Sequence, residues 1–310
     1  MHKASSACLL LLTLLGCQNK QTKTIAVIPK GTSQVFWVQV QRGVLAAGKQ
    51  YGVEIIWNGP SLETDHDRQI QIIDSMIARR VDGIAVAPAE RKALAGPIER
   101  ATAAGIPLTV FDSAVDSSSY MSYVATNNVE VGKMGAREIG RLLNGKGDIA
   151  MLMNAPGSAS TMEREQGFEQ ELKDKFPDVR IVARQYGMSD RSRAMGAAEN
   201  ILTAQPALSG IFASSEASGV GCALALKARA LAGKVKLVAV DASDTMVEDL
   251  RNGAISALVA QDPYRMGFAT VETLVNKLHG QTPPRQIDLP ATLITKENLD
   301  TPEVQKLLKP

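Results

Sequence analysis

The sequence predicts an α/β protein of two similar lobes, each a doubly wound parallel sheet. Three observations lead there. Short apolar, β-prone runs alternate with amphipathic stretches in a regular cadence. Each connection is long enough for a crossover helix, which parallel strands require. The cadence then restarts after Asn144-Gly145-Lys146-Gly147, giving two sets of units, each too small to be the whole 310-residue chain.

In the first set, Ile25–Ile28, Val53–Trp57, Gly83–Ala87 and Pro107–Phe111 read as strands, with helices around 33–50, 67–80 and 90–104. The break at Pro29-Lys30-Gly31 ends the first strand. The chain resumes as a helix whose apolar positions Trp37, Val40, Val44, Ala47 and Tyr51 recur at helical spacing. In the second helix Ile70, Ile73 and Ile77 share a face, and Asp67, Gln71, Asp74 and Arg80 lie largely off it. After the less regular segment 113–127, a helix near 129–143 leads into strands at 149–153, 179–185, 208–213 and 235–240. Helices near 161–175, 190–204, 217–230 and 244–252 fill the gaps. A strand at Ala257–Ala260, a helix from about Tyr264 to His279 and a β-prone tail at Thr292–Thr295 complete the chain.

Composition is that of a globular protein with a substantial core, 45% apolar and 21% charged. The net charge of +2 and the lack of a basic tract give no electrostatic case for a nucleic-acid partner. At the N-terminus, His2 and Lys3 precede an apolar core from Ala7 to Leu15 that is too short to span a bilayer, so residues 1–17 read as an export signal. Leu14-Leu15-Gly16-Cys17 resembles the lipobox of bacterial lipoproteins, which implies that Cys17 becomes the lipid-modified first residue of the mature chain. Ordinary secretion with an incidental Cys17 is the alternative. Gln18–Lys23 would then be a short tether. Cys222 sits in the apolar helical run Val220–Leu226 and is expected to be a buried, inert thiol. No later segment is long and apolar enough for a transmembrane helix.

Phe111-Asp112, Val240-Asp241 and Ala260-Gln261 repeat one device, an apolar strand ending in a polar side chain. Ser215-Glu216 follow Ala213 in the same way, and Lys30, Thr32, Ser33, Gln34, Phe36 and Trp37 gather at the first break. Ligands of parallel α/β sheets bind at the carboxyl edges of the strands. Polar groups at these edges in both halves favour a shared cleft. A cation, hydroxyls, an amide and aromatic rings suit a small ligand with hydroxyls at its rim and apolar CH faces, as in a sugar.

From about Thr24 to its end the chain resembles the ribose-binding type of periplasmic binding protein, the extracytoplasmic receptors of sugar ABC transporters, which have the periplasmic binding protein-like I fold. The motifs are Ile25-Ala26-Val27-Ile28 through Phe36-Trp37, Val110-Phe111-Asp112, Glu163-Arg164-Glu165-Gln166-Gly167-Phe168, Val238-Ala239-Val240-Asp241 and Ala260-Gln261-Asp262-Pro263. The resemblance implies that Phe36 and Trp37 flank the sugar ring while Asp112, Arg164, Asp241 and Gln261 bind its hydroxyls. Lys30, Gln34, Ser215 and Met188 complete the candidate set. Blander readings stay open: Arg164 pairing with Glu163 or Glu165 on a helix surface, Trp37 as core, Lys30 as a solvated turn residue, Met188 stacking on the ligand or only filling space. Ser113 stands where ribose receptors have an arginine and Ser215 where they have an asparagine; Lys30 and Gln34 depart as well, which points away from ribose. Ile28-Pro29-Lys30 and Trp57-Asn58-Gly59-Pro60 are similar to autoinducer-2 and rhamnose receptors. The Asp-Gln pair of autoinducer-2 receptors has no counterpart among Ser158–Met162, which leaves a sugar or polyol.

The resemblance further implies three chain crossings, near Thr126–Asn128, Gln261–Pro263 and Gln286–Leu289. They divide the chain into one lobe of 24–126 plus 262–287 and another of 127–261 plus 288–310, hinged to close on ligand. The implied partner is an ABC transporter permease, with a monomeric receptor that touches the membrane only through its lipid anchor and needs no cofactor or metal. An enzyme is the first rival, with Asp112 and Asp241 as an acid/base pair. Yet His66 and His279 lack metal-ligand spacing, and Gly157-Ser158-Ala159-Ser160 lacks that of a nucleophile elbow. A transcription regulator would need a DNA-binding headpiece where the export signal stands. A receptor feeding a chemotaxis or kinase sensor would bind in the same way and is the alternative.

Overall fold

The computed structural model describes residues 22–309. The predicted export signal, Cys17 and the tether as far as residue 21 lie outside the described residues.

The first lobe opens with β1 (Thr24–Ile28), α1 (Val35–Tyr51), β2 (Glu54–Trp57), α2 (His66–Ala78), β3 (Gly83–Val86), α3 (Ala95–Ala103), β4 (Leu108–Phe111) and β5 (Ser122–Thr126). The second holds α4 (Asn128–Leu142), β6 (Lys146–Met153), α5 (Ala159–Lys175), β7 (Asp178–Tyr186), α6 (Arg191–Ala204), β8 (Gly210–Ala213), α7 (Glu216–Ala228), β9 (Lys236–Val240), α8 (Asp244–Arg251) and β10 (Ala257–Ala260). The chain returns to the first lobe for α9 (Pro263–Leu278) and β11 (Gln286–Leu289), then ends in the second with β12 (Thr292–Ile294) and α10 (Pro302–Leu308). The sheets run β2-β1-β3-β4-β5-β11 and β7-β6-β8-β9-β10-β12. All their pairings are parallel except β12 against β10.

The burial pattern explains the double winding. Along β1, Ile25 and Val27 pack with Trp37, Val40, Val44 and Leu274 of α1 and α9. Ala26 and Ile28 face the other way, onto Ile72, Ile73, Met76 and Ile98 of α2 and α3. The second lobe repeats this: Ile149 and Met151 of β6 pack with α4 and α5, and Ala150 and Leu152 with α6 and α7. Strands covered on both faces must be apolar throughout, which is why they read as unbroken apolar runs. Helix starts are set locally. Asp65, Asn127, Asp190, Ser215 and Asp262 each accept a first-turn N–H of their own helix.

Three elements fall outside the sequence expectations. β5 lies within the segment read as irregular, β11 where a crossing was expected, and α10 near the C-terminus. The third crossing is therefore at Pro290-Ala291 rather than Gln286–Leu289, because Gln286 to Leu289 pair in register with Tyr123 to Thr126 in the first sheet. Cys222 is fully buried, and burial raises its thiol pKa, as expected of an inert thiol.

Candidate functional site

The carboxyl ends of both sheets meet across a cleft with about 370 Å³ of empty space. Nine of the ten candidate ligand residues line it: Lys30, Gln34, Phe36, Trp37, Asp112, Arg164, Ser215, Asp241 and Gln261. Met188 does not. It occupies a turn in which Met188 and Ser189 are both left-handed, at φ 55° and 54°, and the turn presents Ser189 to the opposite lobe instead. There Gln34 Nε2 donates to the Ser189 carbonyl at 2.9 Å.

Two strand ends set equivalent carboxylates. Asp112 follows β4 at φ 62° and Asp241 follows β9 at φ 75°. The left-handed turn is one that Asp tolerates better than most residues. Each backbone N–H still reaches the neighbouring strand, Asp112 to Val124 O at 2.9 Å and Asp241 to Val259 O at 3.0 Å. The ladder is thereby kept while the side chain turns into the cleft. Asp112 Oδ2 meets Lys30 Nζ at 2.7 Å, both residues 3% exposed, so Lys30 is a buried ion-pair partner rather than a solvated turn lysine.

Asp241 Oδ1 accepts from Gln261 Nε2 at 2.7 Å and Oδ2 from the Glu216 N–H at 3.0 Å, with Arg164 Nη1 at 4.0 Å. Burial raises its pKa; the Arg164 charge and the bonds from Gln261 and Glu216 oppose the rise. Arg164 is 2% exposed and makes no pair with its helix neighbours. Its Nε donates to Asn128 Oδ1 at 2.8 Å and Nη1 to the Ser214 carbonyl at 3.0 Å. Close packing of α4 on α5 makes this possible. A Cβ on Gly132 would lie 1.9 Å from the Arg164 carbonyl, and one on Gly167 2.2 Å from that of Val129.

Trp37 belongs to both core and cleft. It packs edge-on against Phe36 at 4.9 Å and Phe111 at 6.3 Å, and its Nε1 donates to Glu63 Oε1 at 2.7 Å. Glu63, Asn154, Ser160, Thr161 and Ala217 line the cleft beyond the predicted ligand set, as does Glu216, which was expected at a strand's carboxyl edge but not as a contact. Glu63 Oε2 accepts from Ser189 Oγ at 2.7 Å and Asn154 Nδ2 at 3.3 Å, tying the lobes together. Asn154 Oδ1 in turn accepts from Ser189 and Ser215 hydroxyls. Behind this wall Glu165 accepts from Ser214 Oγ at 2.8 Å, and burial pushes its carboxyl up to about 7. Glu216, raised by burial, pairs with Arg191. The arrangement offers carboxylate and amide acceptors, a guanidinium and two rings, converging from both lobes on one small volume.

The periplasmic binding protein domain family matches residues 25–282. The ribose import binding protein of Bacillus subtilis is 26% identical over 280 residues, 90% of this chain and 89% of that protein. The D-allose-binding periplasmic protein of Escherichia coli is 30% identical over 260 residues, 81% and 83% of the two chains. A carbohydrate transporter solute-binding protein from Agrobacterium radiobacter, in complex with D-arabinose, superposes with a TM-score of 0.91 at 31% identity, over 94% of this chain and 100% of that one. An ABC transporter solute-binding protein from Agrobacterium vitis with bound D-fucose gives 0.89 at 31%, over 92% and 99%. Two hinged sheets with their polar rims apposed, matched in fold and sequence nearly end to end, place this chain in the periplasmic binding protein family, among the ribose-type sugar-binding receptors of ABC transporters, a family of transporter substrate-binding proteins and not of enzymes.

Proposed function

We propose that the cleft captures a neutral monosaccharide or related polyol and that the closed, loaded receptor delivers it to a permease. The observation that carries this is the convergence of Phe36, Trp37 and Asp112 from one lobe with Arg164, Asp241 and Gln261 from the hinge and the other on one shared cavity. Phe36 and Trp37 would cover the CH face of the ring. The two aspartates would accept from adjacent hydroxyls, and Arg164 and Gln261 would donate. A ligand bonded to both lobes favours closure because an open cleft satisfies only part of its hydroxyls. The lobe division that follows is 24–126 with 262–289, and 127–261 with the remainder.

Charge narrows the ligand class. Glu63, Asp112, Glu216 and Asp241 outnumber Lys30 and Arg164 around the cavity, and Lys30 is already paired. No uncompensated cation awaits a carboxylate or phosphate. Ribose, allose and xylitol, named for relatives, and the bound tagatopyranose, arabinose and fucose of structural neighbours are all neutral. A thermal-shift screen of neutral aldoses, ketoses, deoxy sugars and polyols is expected to give a clear rise with at least one. A ligand at 100 times its dissociation constant stabilises by about 2.7 kcal/mol. Uronic acids and sugar phosphates are expected to give none, and a rise with these alone would refute the assignment. Anchoring through Cys17 is tested by palmitate labelling in a bacterial host. Incorporation should vanish in Cys17→Ser, and incorporation that survives refutes the anchor.

A further inference from the structure

The Gly157-Ser158-Ala159-Ser160 segment, unassigned by the binding chemistry, lies at the start of α5 and touches the first lobe through protein groups alone. Lys30 Nζ forms an ion pair with Asp112 Oδ2 at 2.7 Å in its own lobe and donates to Ser158 Oγ at 3.2 Å and Ser160 Oγ at 2.9 Å in the other. Ser158 is the N-cap of α5 but does not cap its own helix. The Ser160 N–H is instead accepted by Ser113 Oγ at 3.0 Å, so a first-turn donor of α5 is satisfied from across the cleft. The main chains join as well, Arg91 N–H donating to Gly157 O at 3.0 Å. Gly157 is left-handed at φ 83°, and a Cβ there would lie 2.5 Å from Glu90 Cγ, a closeness of approach that only glycine allows.

We propose that Lys30, Ser113 and the Gly157–Ser160 turn latch the two lobes independently of ligand, so that a fraction of the sugar-free receptor is already closed and sugar selects that fraction. Ser113 and Ser158 are positioning residues, since neither lines the cavity. Opening strips Lys30 of two acceptors and α5 of its cap and gives them to water; the balance sets the closed fraction. The apparent dissociation constant then varies inversely with that fraction.

This inference rests on the receptor reading, and its test separates the two. The full-length protein, with paired spin labels on exposed positions of α1 and α6, is compared with the Ser113→Ala/Ser158→Ala double variant by pulsed dipolar spectroscopy. Sugar-free wild type is expected to show a short-distance population that the variant largely loses. For a sugar that stabilises wild type, the variant's dissociation constant is expected to rise about three- to tenfold, while saturating sugar restores the same short distance. A single long-distance population in sugar-free wild type, or an unchanged closed fraction in the variant, overturns the latch. If no sugar binds at all, the receptor reading fails while the sugar-free distances still decide the latch.

Discussion

Asp112 and Asp241 show how one residue type solves a backbone and a binding problem at once. Each keeps its strand's ladder with its N–H and turns its carboxylate into the cleft from a left-handed turn. Asp241→Ala is expected to abolish the sugar-induced rise in melting temperature, and a retained rise would remove Asp241 from the ligand's contacts. Lys30→Met leaves Asp112 buried without its cation and should cost about 3–5 kcal/mol in denaturant unfolding, as expected for breaking a buried pair. Glu165 gives a pH prediction. Its carboxyl has an ordinary value of 4.5 in the unfolded chain and about 7 in the fold. Between those values the native state holds a proton that the unfolded state lacks, so stability falls as pH rises through the window. Unfolding titrations from pH 4.5 to 7 should show a shallower fall in Glu165→Gln, and equal slopes would contradict the assignment. Polar residues directly after an apolar strand, Asp112, Asp241 and Gln261, were legible in the sequence. Asn154 follows the apolar end of β6 by the same device and was overlooked; Glu63 and its partner Ser189 were not legible, because they sit on loops whose aim depends on how the lobes face each other. Met188, in a turn of two successive left-handed residues, does not line the cleft.

The α4–α5 pair links packing to the site. Backbone contact at Gly132 and Gly167 brings Arg164 against Asn128 at the start of α4. Gly132→Ala would push the helices apart, and overpacking of this kind costs typically about 1–3 kcal/mol. The variant should lose stability in denaturant and sugar affinity together, whereas loss of stability alone would uncouple the helix spacing from Arg164. The equivalent pair in the first lobe, α1 on α9, uses Gly43 and Gly267 in the same way. The apolar runs of strands buried on both faces made the repeated αβ cadence readable. β5 escaped because no helix stands between it and β4, which breaks the cadence, and β11 because Gln286-Ile287-Asp288 mix polar and apolar residues on a half-exposed edge strand. Nothing in periodicity marks such a strand; its partner does.

The molecule as a whole is two sheets whose polar rims share one cavity, joined by crossings near residue 127, near residue 262 and at Pro290-Ala291. Buried, ionised groups belong to such a rim only if something meets them, and here the partners are split between lobes: Lys30 with Ser158 and Ser160, Glu63 with Asn154 and Ser189. A ligand bound there adds to a set of bonds the lobes already make with each other. The most direct test is a calorimetric titration of the purified protein with the neutral sugar or polyol that gives the largest thermal rise. One saturable site per chain is expected, with a dissociation constant in the micromolar range or below and its loss in Asp241→Ala. Failure of every neutral sugar and polyol in the panel to bind, or binding that Asp241→Ala leaves unchanged, would contradict the account.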